Sequence, residues 1–260
     1  MKDTYTFAIG LPRFSARYAH ITDQLRKRIV DRYEVIGIDG SELDLSKVVS
    51  AEALTSRMSS GQAGCALSHI AAYRRMVELD LPHAMIIEDD AVLSENIKHL
   101  VADCLPHLSP FGVISFYNPR PKPTRYSDRG APALSTGRLL SPVATLDTHT
   151  TTAYLIGRHA AEKIAHYNFP LRHLADQWFA FHKIGAVDRV LLHYPMPVST
   201  AHFDSSIGYD TGIRSAIKSL LLSLSPVRHA VNLRRAKEEQ RQKTNILVVD
   251  APTFYERKET

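Results

Sequence analysis

Apolar and polar positions alternate from Thr4 to Leu11, with Tyr5, Phe7, Ile9 and Leu11 on one face, and predict a first β-strand. The period then changes. Ser15 to Val30 reads as a helix and Tyr33 to Ile38 as a second strand ending at Asp39-Gly40. From Gly61 to Leu79, residues Leu67, Ile70, Tyr73 and Val77 recur at helical spacing, and Pro82 follows the end of the element. Met85, Ile86 and Ile87 form an unbroken apolar run, the pattern of a strand buried on both faces. Phe111 to Tyr117 and Thr152 to Ile156 read as further strands, His159 to Tyr167 and Leu174 to Ile184 as helices, and Val187 to Tyr194 as another strand. Between them, Asn118 to Thr148 carries Pro119, Pro121, Pro123, Pro132 and Pro142 with little periodicity and reads as a long loop. Ile213 to Gln242 reads as helical with a break at Pro226, and Asn245 to Val249 as a last strand whose partner the sequence does not name. Strands alternating with helices predict an α/β fold, a mostly parallel sheet flanked by helices. We expect one domain over residues 1–212 and a basic helical extension and tail over residues 213–260.

Composition changes this picture little, except at one place. The 260 residues suffice for a substantial core, and 44% hydrophobic with 23% charged residues is the balance of a soluble globular chain. The net charge of +5 is concentrated: Arg214, Lys218, Arg228, Arg234, Arg235 and Lys237 contribute six bases with no acid between Ile213 and Lys237. These bases interleave with Ala216, Ile217, Leu220, Leu221, Leu222, Leu224, Val227 and Val231. That is the composition of an amphipathic helix drawn to an anionic membrane surface; a helix packed on the domain with solvated bases is the alternative. No recognition motif accompanies the charge, so nucleic acid is not expected as a partner. The N-terminus lacks the apolar core of a signal peptide, no run is long enough to span a bilayer, and Cys65 and Cys104 make no disulfide framework. A cytoplasmic protein, peripheral on the inner face of the inner membrane, is the resulting expectation.

Candidate chemistry gathers where the apolar run Met85 to Ile87 stops at Glu88, Asp89 and Asp90. Open α/β sheets place ligands at the carboxyl ends of their strands. Adjacent carboxylates repel one another and raise each other's pKa unless a cation neutralises them, and hard oxygen ligands suit Mg²⁺ or Mn²⁺. A solvated turn is the plainer reading of such a run. Upstream, Gly61 and Gly64 open a helix and would let a ligand approach the backbone, where free N–H groups favour anions. Ser68 and His69 follow on its first turns, although a lone histidine there is often a satisfied core residue.

From Gly61 to Leu93 the chain reads GQAGCALSHIAAYRRMVELDLPHAMIIEDDAVL. This resembles the signature of glycosyltransferase family 25, the lipopolysaccharide and collagen galactosyltransferase group. Ile9 to Arg13 through Arg17, the Ile38-Asp39-Gly40 turn, the block Thr151 to Ile156 with Ala160 to Ile164, Asp176, and Tyr194 to Ile207 are similar to further blocks of that family, so the likeness covers roughly residues 4 to 208. Gln62 stands where the family has Glu, and Gly10 where it commonly has Asn. The resemblance implies a GT-A type fold, a UDP-sugar donor and a divalent metal, Mn²⁺ or Mg²⁺. It implies Glu88, Asp90 and His202 as metal ligands, and Arg13, Arg17, Gly64, Ser68, His69 and Asp89 as donor-binding residues. Asp89 is open between metal and ribose. Asp176 becomes the base that accepts the proton of an acceptor hydroxyl, although locally it reads equally well as a helix N-cap. Trp178 and Tyr154 could offer flat faces to an acceptor sugar or belong to the core. The implied reaction is an inverting single displacement moving a hexose, galactose from UDP-galactose, to a glycolipid or oligosaccharide acceptor of lipopolysaccharide or lipooligosaccharide type. The length and the absence of a signal sequence favour that branch over the collagen-modifying one. Two other classes remain: a catalytically silent nucleotide-sugar-binding protein, which Gln62 permits, and a Mg²⁺-dependent phosphohydrolase, for which the required lysine constellation is missing.

Overall fold

The computed structural model describes residues 4–29, 32–56, 58–118, 124–143, 148–201, 203 and 246–249. Its strands are β1 (Thr6–Ile9), β2 (Tyr33–Ile36), β3 (His83–Glu88), β4 (Ala91–Leu93), β5 (Gly112–Ser115), β6 (Thr124–Ser127), β7 (Ala133–Leu134), β8 (Gly137–Pro142), β9 (Ala153–Gly157), β10 (Arg189–Tyr194), β11 (Val198–Thr200) and β12 (Ile246–Val249). The helices are α1 (Ser15–Arg28), α2 (Leu45–Val48), α3 (Ala51–Thr55), α4 (Ser60–Glu78), α5 (Ile97–Cys104), α6 (Arg158–Tyr167) and α7 (Trp178–Lys183).

One sheet runs in the order β12-β6-β8-β10-β5-β9-β3-β1-β2, with β7 on β8, and a small second sheet pairs β4 with β11. The main sheet is mixed but largely parallel. Strands β2, β1, β3, β5 and β10 share a direction, and β9 and β8 run against it. The antiparallel β9 between β3 and β5 is the departure from a simple alternation of strand and crossover helix.

Side-chain alternation along the central strands builds two cores. Phe7, Ile9, Ala84, Ile86, Tyr154 and Ile156 pack with residues of α4 and α6. Their neighbours Ala8, Met85, Ile87, Ala153 and Leu155 pack with residues of α1 and α5. A strand covered on both faces must be apolar at every position, which is why β3 reads as a continuous run rather than an alternation. Burying each of its large side chains is worth roughly 1.5–3 kcal/mol.

Local signals explain the long helix that matters most. Ser59 accepts the Gln62 N–H while the Gln62 side chain accepts the Ser59 N–H, a complete capping box at the start of α4. At its other end, Asp80 turns the chain with φ 53° into β3.

Two expectations are corrected. The stretch Asn118 to Thr148 is not a structureless loop: β6, β7 and β8 lie within it and extend the sheet beyond β10. The helix expected from Leu174 begins only at Trp178, with Gln177 as its N-cap and no side-chain cap. The last strand is present and pairs antiparallel with β6. The basic stretch 213–237, and with it the proposed helical extension, lies outside the described residues.

Candidate functional site

Glu88 is the last residue of β3 and lies beside Ile9, the last residue of β1, in a parallel register. Both strands end at one cleft, lined among others by Leu11, Arg13, Phe14, Arg17, Cys65 and Glu88. A strand sends successive side chains to opposite sides, and the acidic run keeps to that rule: Glu88 meets α4, and Asp89 meets α1.

On the α4 side, Thr151 Oγ donates to Glu88 Oε1 at 2.5 Å, and His69 Nε2 lies 3.4 Å from the same oxygen. His69 Nδ1 is 2.8 Å from the Tyr154 hydroxyl, which is also bonded to the Tyr73 hydroxyl. Every atom is satisfied when His69 carries its proton on Nε2 and accepts from Tyr154 on Nδ1. His69, Tyr73 and Tyr154 are at most 1% exposed, so this is a core network reaching the cleft only at Glu88. Burial pushes the Glu88 carboxyl up, but the bonds from His69 and Thr151 and the nearby Arg17 charge hold it below the usual carboxylate range.

On the α1 side, Arg17 takes Asp89 Oδ1 with both Nε, at 2.8 Å, and Nη2, at 2.5 Å, and reaches Asp90 Oδ2 at 3.2 Å. Among the described residues, the cation that compensates the acidic run is therefore this guanidinium. Asp90 is the unbalanced member. Burial and the Glu88 charge push its carboxyl up to about 6, against the pull of Arg17, and its Oδ1 is buried with no hydrogen-bond partner among the described residues. Gly10 allows this crowding, since a Cβ there would stand 3.2 Å from Asp89 Cβ.

A divalent ion suits this donor set. The orphaned, buried Asp90 Oδ1 beside the ionised Glu88 is the vacancy in hydrogen bonding that a cation satisfies, and carboxylate oxygens are the ligands Mg²⁺ and Mn²⁺ prefer. A second group, Cys65, His69 and Glu88, presents ligand atoms within 4.8 Å of one another and could also hold a metal. Its thiol is of softer character. Burial, reinforced by Glu88 and Asp176, pushes the Cys65 thiol well above its ordinary range, so it stands protonated rather than as the thiolate ligand.

The remaining expected residues are placed as follows. Arg13 is half exposed at the cleft and pairs with Asp39 at 2.7 Å. Ser68 lines the cleft, but its hydroxyl accepts the Ile38 N–H and donates to the Gly64 carbonyl, pinning the turn after β2 to α4. Gly64 answers to the same packing: a Cβ there would lie 2.6 Å from the Gly40 nitrogen. Asp176 does not cap α7, which removes the N-cap reading. Burial and the Glu88 charge push its carboxyl up while His149 and His69 pull it down, so it shares the electrostatic neighbourhood of Glu88 and His69. A raised carboxyl suits a group that must accept a proton near neutral pH. Trp178 and Tyr154 are 1% and 0% exposed and form an edge-to-face pair at 5.1 Å; they belong to the core and offer no face to a sugar. His202 lies outside the described residues.

Sequence reasoning passed over Thr151 and Tyr73 as parts of the site, and weighed Tyr154 only as a sugar platform or a core residue, not as a partner of His69. Their signal was weak but present: hydroxyl-bearing residues at the start of β9 and on the His69 face of α4. It also read the Gln62 position as a lost carboxylate, whereas the Ser59-x-x-Gln62 spacing is a capping box.

The profile of Glycosyltransferase family 25 (LPS biosynthesis protein) matches residues 3–179. A protein of Haemophilus influenzae (strain ATCC 51907 / DSM 11121 / KW20 / Rd), provisionally described as a glycosyltransferase, is 31% identical over 101 residues, which is 37% of this chain and 36% of that protein. The match thus spans about a third of that relative's length.

Proposed function

The chain belongs to glycosyltransferase family 25, and from that membership we propose that it moves a hexose, galactose from UDP-galactose, onto a lipopolysaccharide or lipooligosaccharide acceptor by an inverting single displacement within a GT-A type fold. The observation that carries the reading is the acidic edge of β3, where Asp90 keeps a buried carboxylate oxygen, unpartnered among the described residues, beside Glu88.

In this proposal Glu88 and Asp90 hold a divalent ion, Mn²⁺ or Mg²⁺, with His202 as a further ligand. When bound, the ion would offset the negative charge that develops on the departing diphosphate. Arg13 and the start of α1, which has no side-chain cap and no acid in its first turn, favour the diphosphate at the mouth of the cleft. Arg17 holds Asp89 and keeps the acidic edge compact. Asp176 accepts the proton of the acceptor hydroxyl; burial raises its carboxyl from the ordinary value, which makes it a stronger base for that step. No helix among the described residues is long and apolar enough to cross a membrane. We place the enzyme in the cytoplasm, at the inner face of the inner membrane, with the bases of residues 213–237 drawn to anionic lipid.

The test is UDP release and transfer with UDP-galactose, UDP-glucose and UDP-N-acetylhexosamines, with Mn²⁺ and with chelator, alongside Asp90→Ala and Asp176→Asn. Metal-dependent release from UDP-galactose, lost in both variants, supports the reading. Turnover that survives chelation, or a preference for another donor, overturns the metal or the galactose assignment respectively.

A further inference from the structure

We infer that Thr151 is a positioning residue for Glu88, carried on a strained turn at Thr150 that the Trp178 indole clamps. The inference rests on the metal-binding reading of the acidic edge.

Thr150 has φ 91°, a conformation that a β-branched residue rarely adopts and that persists only where the surroundings over-determine it. Those surroundings are visible. Trp178 Nε1 donates to the Thr150 carbonyl at 3.2 Å, from an indole that is 1% exposed. The Thr150 hydroxyl accepts the Thr152 N–H at 3.1 Å and bonds the Thr152 hydroxyl at 2.8 Å. The turn so fixed grips Glu88 twice: the Thr152 carbonyl accepts the Glu88 N–H at 2.8 Å, and Thr151 Oγ donates to Glu88 Oε1 at 2.5 Å. Thr151 is 5% exposed, so its hydroxyl is spent inside the protein.

Among the described residues, the hydrogen bonds to the carboxylate from Thr151 and from His69 both fall on Oε1. These two bonds set the plane of the carboxylate before a cation arrives, and neither of them occupies Oε2. A hydroxyl bonded to a ligating carboxylate orients it and tunes its basicity, and loss of such a partner typically costs 10–100-fold in metal affinity.

The experiment is a Mn²⁺ titration of the full chain followed by electron paramagnetic resonance, without donor, for wild type, Thr151→Val, Thr151→Ala and Thr151→Ser. The dissociation constant is expected to rise ~10–100-fold in the valine and alanine variants. The serine variant, which keeps the hydroxyl, restores tight binding; a purely structural role for the side chain would not distinguish serine from alanine in this way. Alanine covers the case in which valine fails to pack, and circular dichroism reports folding for each. Wild-type affinity in folded valine and alanine variants overturns the inference while leaving the metal reading intact. A wild-type chain that binds no Mn²⁺ overturns the metal reading, and the inference with it.

Discussion

The two sides of the acidic edge are built on opposite principles. On the α4 side the Oε1 of Glu88 is held by Thr151 and His69, at the edge of a network with Tyr154 and Tyr73 that is closed to solvent. On the α1 side Asp89 is held by Arg17, while Asp90 keeps a buried oxygen without a partner among the described residues. One side is finished by the fold. The other is a charge arrangement that folding leaves incomplete, and that difference separates the residues that position from the residue that waits for a ligand.

The largest break in this contrast comes from Arg17→Ala. It strips Asp89, 8% exposed, of its ionic partner and should cost about 3–5 kcal/mol of stability, read by urea denaturation of the metal-free protein. Partial recovery on adding Mn²⁺ is expected, because a second cation then serves the same carboxylates. A loss below about 1 kcal/mol, the range of an exposed pair, would mean that Arg17 is not their compensating charge.

Asp90→Asn acts on function instead. Transfer should fall by about 10²–10³-fold, the scale for losing one group aimed at developing charge. Stability of the metal-free protein should not fall with it. The folded Asp90 carboxyl is raised from 3.8 to about 6, so its contribution is present at the acid end and lost as pH rises through about 6. Melting curves across that window should show the decline in wild type and a flatter limb in the variant. A lower melting temperature for the variant at pH 7 would contradict the unbalanced role assigned to Asp90.

His69→Ala tests the finished side. It leaves Glu88 and the Tyr154 hydroxyl short of a partner and opens a cavity, for a cost of about 2 kcal/mol in chemical denaturation. The smallest effect belongs to Gln62→Glu. A capping box works with either side chain, so the stability read from thermal melts should change by no more than about 0.5 kcal/mol. A large gain in turnover would show instead that a carboxylate at this position takes part in the chemistry.

Legibility in the sequence followed the range of the interaction. The apolar run of β3, the spacing of Leu67, Ile70 and Tyr73, and the carboxylates at the strand end are local patterns, and they located β3, α4 and the acidic edge. The strands β6 and β8 escaped because prolines lie within or beside them and because they pair with β12 and β10, neighbours distant in the chain. The end of α7 was readable but its start was not, since Asp176 resembles a cap yet α7 starts from Gln177 without any side-chain cap. Arg17 was singled out for the donor, yet its bonds run to Asp89 and Asp90, more than seventy residues away. No spacing rule encodes such a pairing. The aromatic pair Tyr154 and Trp178 illustrates the same limit, because strand and helix periodicity cannot tell a sugar platform from a core.

The antiparallel neighbour of β3 has a further consequence for how this edge can vary. Glu88 and Asp89 face opposite layers only because β3 is locked in register, Met85 against Leu155 on one side and Thr6 on the other. Inserting or deleting a single residue within Ala84 to Ile87 would exchange the two addresses, presenting an acid to His69 that belongs to Arg17 and the reverse. Length in this strand is therefore under tighter constraint than composition, and variation that preserves the count of residues should be tolerated where variation that alters it is not.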